Sequence, residues 1–362
     1  MSKTPYQKQP KEAFWRTAVA EPGIWNLQKL WRSKWALPSN AAFATYGSCF
    51  AQHISRAVQA EGKPWVNAEP CPKSTSSALA AKFGYGVYSA RTANIYTARM
   101  LAFWAELAQD PDKCESVEIW EDNKGKQPRY RDSLRPMIEP EGFESPEECL
   151  ALLKNTARAF GRSVAQAQVF VFTMGLTEGF ENTRTGQPYA LCPGTLAGTY
   201  NPDEHQFHNY TYPQILASMQ TAIAALKEIN PSLKILLTVS PVPLTATADK
   251  AHILLATTYS KSTLRAVAGD LATSDDDIDY FPSYEIISQP PTRGIFFEPN
   301  MRSVSLKGVE LVMQHFFKGM RFTKEKLKEN KAEAKRQAAI LAEDAAAELA
   351  CEEAALDTEA TP

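Results

Sequence analysis

No run of this 362-residue chain is apolar for long enough to cross a membrane. Six cysteines occur (Cys49, Cys71, Cys114, Cys149, Cys192 and Cys351), but never as a C-x-x-C pair. The five histidines show no metal-ligand spacing. Structural zinc and a disulfide framework are therefore not expected, nor is any metal or cofactor, and the thiols read as reduced. Charge of one sign is missing as well. With 39 Lys and Arg against 41 Asp and Glu, the net charge of −2 gives no electrostatic case for nucleic acid or an anionic lipid surface. The opening residues, "MSKTPYQKQPKEAFWRTAVAEPG", lack the apolar core of a signal peptide, so a cytoplasmic location is expected.

What is present is ordinary globular material, 44% hydrophobic and 22% charged, in a length that suits one large domain or two smaller ones. Residues 1–40 are rich in Trp and Pro (Trp15, Trp25, Trp31, Trp35) and read as an irregular segment wrapped on the body. Residues 78–107 look helical in part. The polar stretch 110–144 reads as an insertion, with a β-hairpin turning at Asn123-Lys124-Gly125.

From Ser145 a regular alternation sets in. Ser145-Pro146-Glu147-Glu148 is a capping box leading into a helix with Leu150, Leu153, Ala157 and Phe160 on its apolar face. "QVFVFTMG" (168–175) reads as a buried strand, followed by a loop region and a helix carrying Ile215, Met219, Ala222, Ile223 and Leu226. That helix stops at Asn230-Pro231. "LKILLTVS" (233–240), a helix over 257–272, a strand "IDYFPSYEII" (278–287) and a last helix lined by Val309, Val312, Met313 and Phe316 complete the pattern. Near-continuous apolar strands alternating with helices predict an α/β three-layer sandwich around a mainly parallel sheet. After Phe322 the chain turns to Lys, Glu and Ala, and residues 323–362 read as an exposed helix fraying into disorder.

In such a fold the strand ends converge on one rim, and ligands bind there. The first strand, 42–46, runs into "GSCFAQHISRAV", which has Phe50, Ile54, Ala57 and Val58 on one helical face. Gly47-Ser48 thus ends a strand and opens a helix. Ser48 at that point is either a helix cap or a nucleophile. The same rim receives Gly175, Thr177 and Glu178 after the second strand and His252 beyond the third. Glu285 follows the fourth, with Asn300, Arg302 and Ser303 further on. A serine, a histidine and carboxylates are the parts of nucleophilic acyl transfer. Each also has a structural role open to it: Glu178 as a cap, His252 as a surface residue, Glu285 as a partner of Arg265 or Arg302.

"GSCFA" (47–51), "FTMGLTEGF" (172–180), "LTVSPVPLTAT" (237–247), "ATTYSKSTLRAVAG" (256–269) and "YFPSYEI" (280–286) together resemble the GSCFA family, which is similar to the SGNH/GDSL hydrolases. The resemblance spans nearly all the chain except the tail, and implies one domain over 1–322. In the SGNH pattern the nucleophile stands in a first block, here Gly47-Ser48. A second-block glycine falls at Ala93, beside Asn94, in "TANIYTA". The third block, Gly-x-Asn-Asp, is replaced by Gly175-Leu176-Thr177-Glu178. The late Asp-x-x-His is replaced by Asn300 and Ser303, with Arg302 between them.

The resemblance therefore implies a serine esterase or acyltransferase acting on O-acyl groups of a small molecule, carbohydrate or polysaccharide precursor. Ser48 would be its nucleophile, and Gly47, Cys49, Ala93, Asn94, Gly175, Thr177, Asn300 and Arg302 would lie around the substrate and oxyanion. With the usual base missing, His252 is the candidate imidazole, oriented by Glu285 or Glu178. Cys49 is the second-choice nucleophile, and His53 reads as structural. The alternative is a ligand- or glycan-binding protein on the same scaffold. The sequence leaves the oligomeric state open.

Overall fold

The computed structural model describes residues 4–323 and Leu356. In chain order the elements are β1 (Ala36–Leu37), β2 (Phe43–Gly47), α1 (Ala51–Ala60), α2 (Ser77–Lys82), α3 (Ala98–Gln109), β3 (Ile119–Asp122), β4 (Arg129–Asp132) and α4 (Pro146–Gln166). They continue with β5 (Val169–Met174), β6 (Glu178–Asn182), β7 (Pro188–Tyr189), β8 (His205–Asn209), α5 (Tyr212–Ile229) and β9 (Lys234–Val239). Last come α6 (Ile253–Ser274), β10 (Ile278–Phe281), α7 (Ser283–Ser288), α8 (Leu306–Gly319) and β11 (Arg321–Phe322). The expected charged tail lies outside the described residues, Leu356 apart. Among the described residues no helix is long and apolar enough to cross a membrane.

The fold is mixed α/β, with a central parallel sheet in the order β10-β9-β5-β2 flanked by helices. Its strands are buried almost throughout, as apolar runs covered on both faces must be. Helix starts follow local chemistry. Ser145 Oγ accepts from Glu148 N at 3.1 Å with Pro146 in the first turn. The Glu148 carboxylate reaches past Ser145 and accepts from Glu144 N instead, at 3.0 Å. At the end of α5, Asn230 Nδ2 donates to Val164 O and Ala167 O (2.9 and 2.8 Å), satisfying carbonyls that α4 leaves open.

Two segments differ from the sequence reading. The strand expected over 278–287 ends at Phe281, and Ser283–Ser288 is helical. Pro282 has no N–H to give a ladder, which stops the strand there. The loop region after β5 holds a three-stranded antiparallel sheet, β7-β6-β8, with Glu178 opposite Asn209 and Asn182 opposite His205. Its strands are short and largely polar, so no apolar run announces them. The expected hairpin forms as β3–β4, pairing Ile119 with Asp132 and Asp122 with Arg129.

The described residues fall into two compact units. The larger, residues 40–280, holds the sheet. The smaller combines residues 4–39 with 281–323. In it β1 pairs in parallel with β11, Trp25 stands edge-on to Phe296 at 5.2 Å, and Trp31 stacks on Phe316 at 6.1 Å.

Strand β2 closes on β5 most tightly at its end. Gly47, at φ +134°, lies so near Thr173 that a Cβ would sit 2.3 Å from Thr173 O and 2.6 Å from Thr173 N. Both clashes are with backbone, so nothing flexible can give way. Gly47→Ala is expected to destabilise the fold by about 3 kcal/mol or more, read as a lowered urea midpoint or as insoluble protein.

Candidate functional site

The Gly47-Ser48 turn is fixed from both sides. Gly47 O accepts from Ile95 N at 2.8 Å, and Ser48 N donates to Thr173 O at 3.0 Å. Ser48 is only 3% exposed, and its Oγ is buried without a hydrogen-bond partner. A buried hydroxyl left unsatisfied in a turn this constrained calls for an explanation. It opens on a niche of about 10 Å³, lined among others by Cys49, Tyr96, Gly175, Ser240 and Lys261. Gly175 must be glycine here, because a Cβ would stand 2.8 Å from Tyr96 O and 3.0 Å from Ser48 Cβ.

Lys261 was not among the expected residues. It is 2% exposed, and its Nζ donates to Gly175 O at 2.6 Å. The preceding Ser260 Oγ accepts from Thr177 N at 3.0 Å. Helix α6 therefore grips the loop after β5 with two consecutive residues. A signal existed in the sequence, since Lys261 lies in helical phase with the buried Leu264 and Ala268.

The oxyanion candidates are engaged with protein partners. Gly175 N and Leu176 N both donate to Tyr96 O at 3.1 Å, and Thr177 Oγ1 donates to Asn209 Oδ1 at 2.7 Å. Asn94 Nδ2 donates to Tyr96 Oη at 3.2 Å, while its Oδ1 accepts from Gln52 Nε2 at 3.3 Å and from Tyr88 Oη. Tyr88 Oη also lies 3.1 Å from Ser48 O. Asn94 thus braces the layer behind Ser48. Ala93 has φ +55°, a left-handed conformation that glycine adopts most easily, and packs beside Ile138, Phe143 and Cys149.

His252 is exposed and caps α6, its Nδ1 accepting from Leu254 N at 3.2 Å. It does not line the Ser48 niche. Glu178 is buried, with Oε1 accepting from Thr247 Oγ1 (2.8 Å) and Oε2 from Ala248 N (3.3 Å). Burial raises its pKa, opposed by those two bonds. Glu285, Asn300 and Arg302 belong to the smaller unit. There Asn300 Oδ1 accepts from the amides of Arg302 and Ser303, both at 2.9 Å, and shapes its own loop. His205 is buried, its Nδ1 accepting from Asn201 N at 3.0 Å, and His208 stacks on Tyr210.

Beside the niche lies a larger chamber of about 310 Å³. Tyr96 and Leu176 line both spaces.

The description "GSCFA family" belongs to a family model that matches residues 42–316. No curated protein matches the chain. Among solved structures, the crystal structure of an acetyl esterase mutant with acetate ion is similar over 60% of this chain and 86% of that one, at 10% identity and a TM-score of 0.23.

His53, on the helix that Ser48 leads into, packs edge-on against Phe50 at 5.4 Å and is absent from the niche lining. Burial, aided by the nearby Arg56 charge, pushes its pKa down to about 4. An unfolded histidine titrates near 6.5. The unfolded chain therefore binds the extra proton first, and stability falls as pH drops from about 6.5 to about 4. The expected loss is up to about 3 kcal/mol. With the difference at pH 7 subtracted, the urea midpoints of wild type and His53→Gln should diverge by pH 4.5, wild type falling further. An identical pH slope in both would refute it.

Proposed function

Given that the chain belongs to the GSCFA family, we propose that it is a serine hydrolase of carboxylic esters, similar to the SGNH/GDSL enzymes. It acts on O-acyl groups of a carbohydrate or polysaccharide precursor, by hydrolysis or by transfer to an acceptor. The observation that carries this reading is the buried, unpartnered hydroxyl of Ser48 in a niche that Lys261 also lines. With the late Asp-x-x-His absent, Lys261 takes the part of the base, in a serine–lysine arrangement.

Burial disfavours a charged amine. A neutral Lys261 keeps its bond to Gly175 O through one N–H and offers its lone pair to the Ser48 proton. Ser48 Oγ attacks the ester carbonyl as that proton passes to Nζ. The ammonium formed in the same step supplies positive charge for the oxyanion, which matters because the Ser48, Gly175 and Leu176 amides are bonded to Thr173 O and Tyr96 O. The ammonium then protonates the leaving alkoxide. Water or an acceptor hydroxyl, deprotonated by the same amine, releases the acyl group from Ser48 and restores the enzyme. Through its backbone contacts Gly175 positions both partners.

His252 is the competing base, and Asn300 and Ser303 at the usual acid–base positions favour the binding-protein reading. One set of variants separates the three. Wild-type protein should be labelled by a fluorophosphonate and should hydrolyse p-nitrophenyl acetate, and Ser48→Ala should lose both. Lys261→Met should lower kcat by about 10²–10⁴-fold, while His252→Ala leaves it nearly unchanged. The opposite outcome for the last two variants moves the base to His252. A wild-type protein that neither labels nor turns over establishes a binding protein.

A further inference from the structure

The Ser48 niche, about 10 Å³, has room for no more than a water molecule. An ester has to bring the rest of its bulk through a neighbouring space. The chamber that shares Tyr96 and Leu176 with the niche has about 310 Å³, within the range of small-molecule sites. Its wall is built mainly of apolar side chains, including Met100, Phe180, Leu191, Phe207 and Leu244. Leu356, the described residue of the C-terminal segment, adds another.

The wall carries no Lys, Arg or His among the described residues, so nothing there matches a phosphate or an anionic sugar. Glu178 is its acidic residue, and both its oxygens are occupied by Thr247 and Ala248. Such a wall rewards burial of hydrocarbon and offers little to a hydrated glycan. Of its polar groups, Thr247 Oγ1 turns to Glu178, Tyr189 Oη to Glu118, and Tyr96 Oη accepts from Asn94 Nδ2.

We propose that this chamber holds the acyl chain of the substrate, and that the chain prefers medium-length acyl groups over acetyl. The inference rests on Ser48 being the reacting group only for its orientation, with the carbonyl end beside Tyr96 and Leu176, which line both spaces, and the alkyl end among Phe180, Phe207 and Leu244. Each methylene buried is worth about fourfold in affinity.

Full-length Ser48→Ala protein, which cannot turn over, should bind octanoate more than about tenfold tighter than butyrate in calorimetric titration. Ala246 is exposed and Ala190 half-buried, and both line the chamber, so tryptophan fits at either without rebuilding the core. Adding Ala246→Trp or Ala190→Trp should weaken octanoate by about tenfold or more, with an unchanged circular dichroism spectrum. Equal affinity for the two acids, no binding of either, or octanoate binding unmoved by both folded tryptophan variants would overturn the proposal. The esterase reading fails separately: octanoate binding with no Ser48-dependent hydrolysis of any p-nitrophenyl ester refutes it and leaves the chamber intact. Ser48-dependent hydrolysis of the acetate ester without octanoate binding does the reverse.

Discussion

The contact between Gly47 and Thr173 is the constraint on which the site depends. Strand β2 approaches β5 so closely at this point that a single methyl group has no room. The approach fixes the pairing of Gly47 with Thr173, lets Ser48 N reach Thr173 O, and turns Gly47 O toward Ile95 N. Ser48 is thereby held through its own backbone atoms, Tyr88 Oη donating to its carbonyl. Its side-chain hydroxyl makes no hydrogen bond, as the proposed nucleophile requires.

Behind that hydroxyl the polar side chains bond to one another, although Thr173 Oγ1, opposite Gly47, is also buried without a partner. Asn94 links Gln52, Tyr88 and Tyr96 behind the turn. A second network runs through the hairpin region: Arg135, fully buried, pairs with Asp132 at 3.0 Å and donates to Thr156 Oγ1 at 2.6 Å, and Thr156 in turn donates to Glu69 Oε1 at 2.9 Å. Glu69 Oε2 accepts from Arg91 N at 2.9 Å. Ion pairing of Arg135 with Asp132 and hydrogen bonds to the Glu69 carboxylate offset the cost of burying these charges. These bonds tie the hairpin region to α4 and to the segment leading into Asn94.

A niche with room for one water lies beside a larger apolar chamber. In the proposed reaction Ser48 and Lys261 meet where solvent is scarce, which would strengthen the electrostatic effect of the amine. In the same proposal recognition falls to the neighbouring wall. Tyr96 and Leu176 line both, and Gly175, between them and Lys261, donates to Tyr96 O and accepts from Lys261 Nζ.

Much of the architecture was readable because local chemistry repeats at short range. Apolar strands, the Ser145 cap and the Asn230-Pro231 stop each declare themselves within a few residues, and Gly47-Ser48 stands out as a strand-to-helix turn. Other features depend on distant partners. The β6–β8 sheet is built from polar, half-buried strands whose stability comes from pairing across some 30 residues rather than from a continuous apolar run. His252 follows a strand, yet its imidazole is spent on the start of α6, a local bond that strand order does not reveal. Lys261 presents the opposite case: its helical phase marks it as buried, but the carbonyl it binds lies 86 residues earlier. The sequence alone determined the apolar strands of the parallel sheet and the long helices that alternate with them, since periodicity and capping act over a few residues. Only the tertiary structure decided that Lys261, rather than a histidine, shares the niche with Ser48, because burial and hydrogen bonding between distant segments are settled when the chain packs.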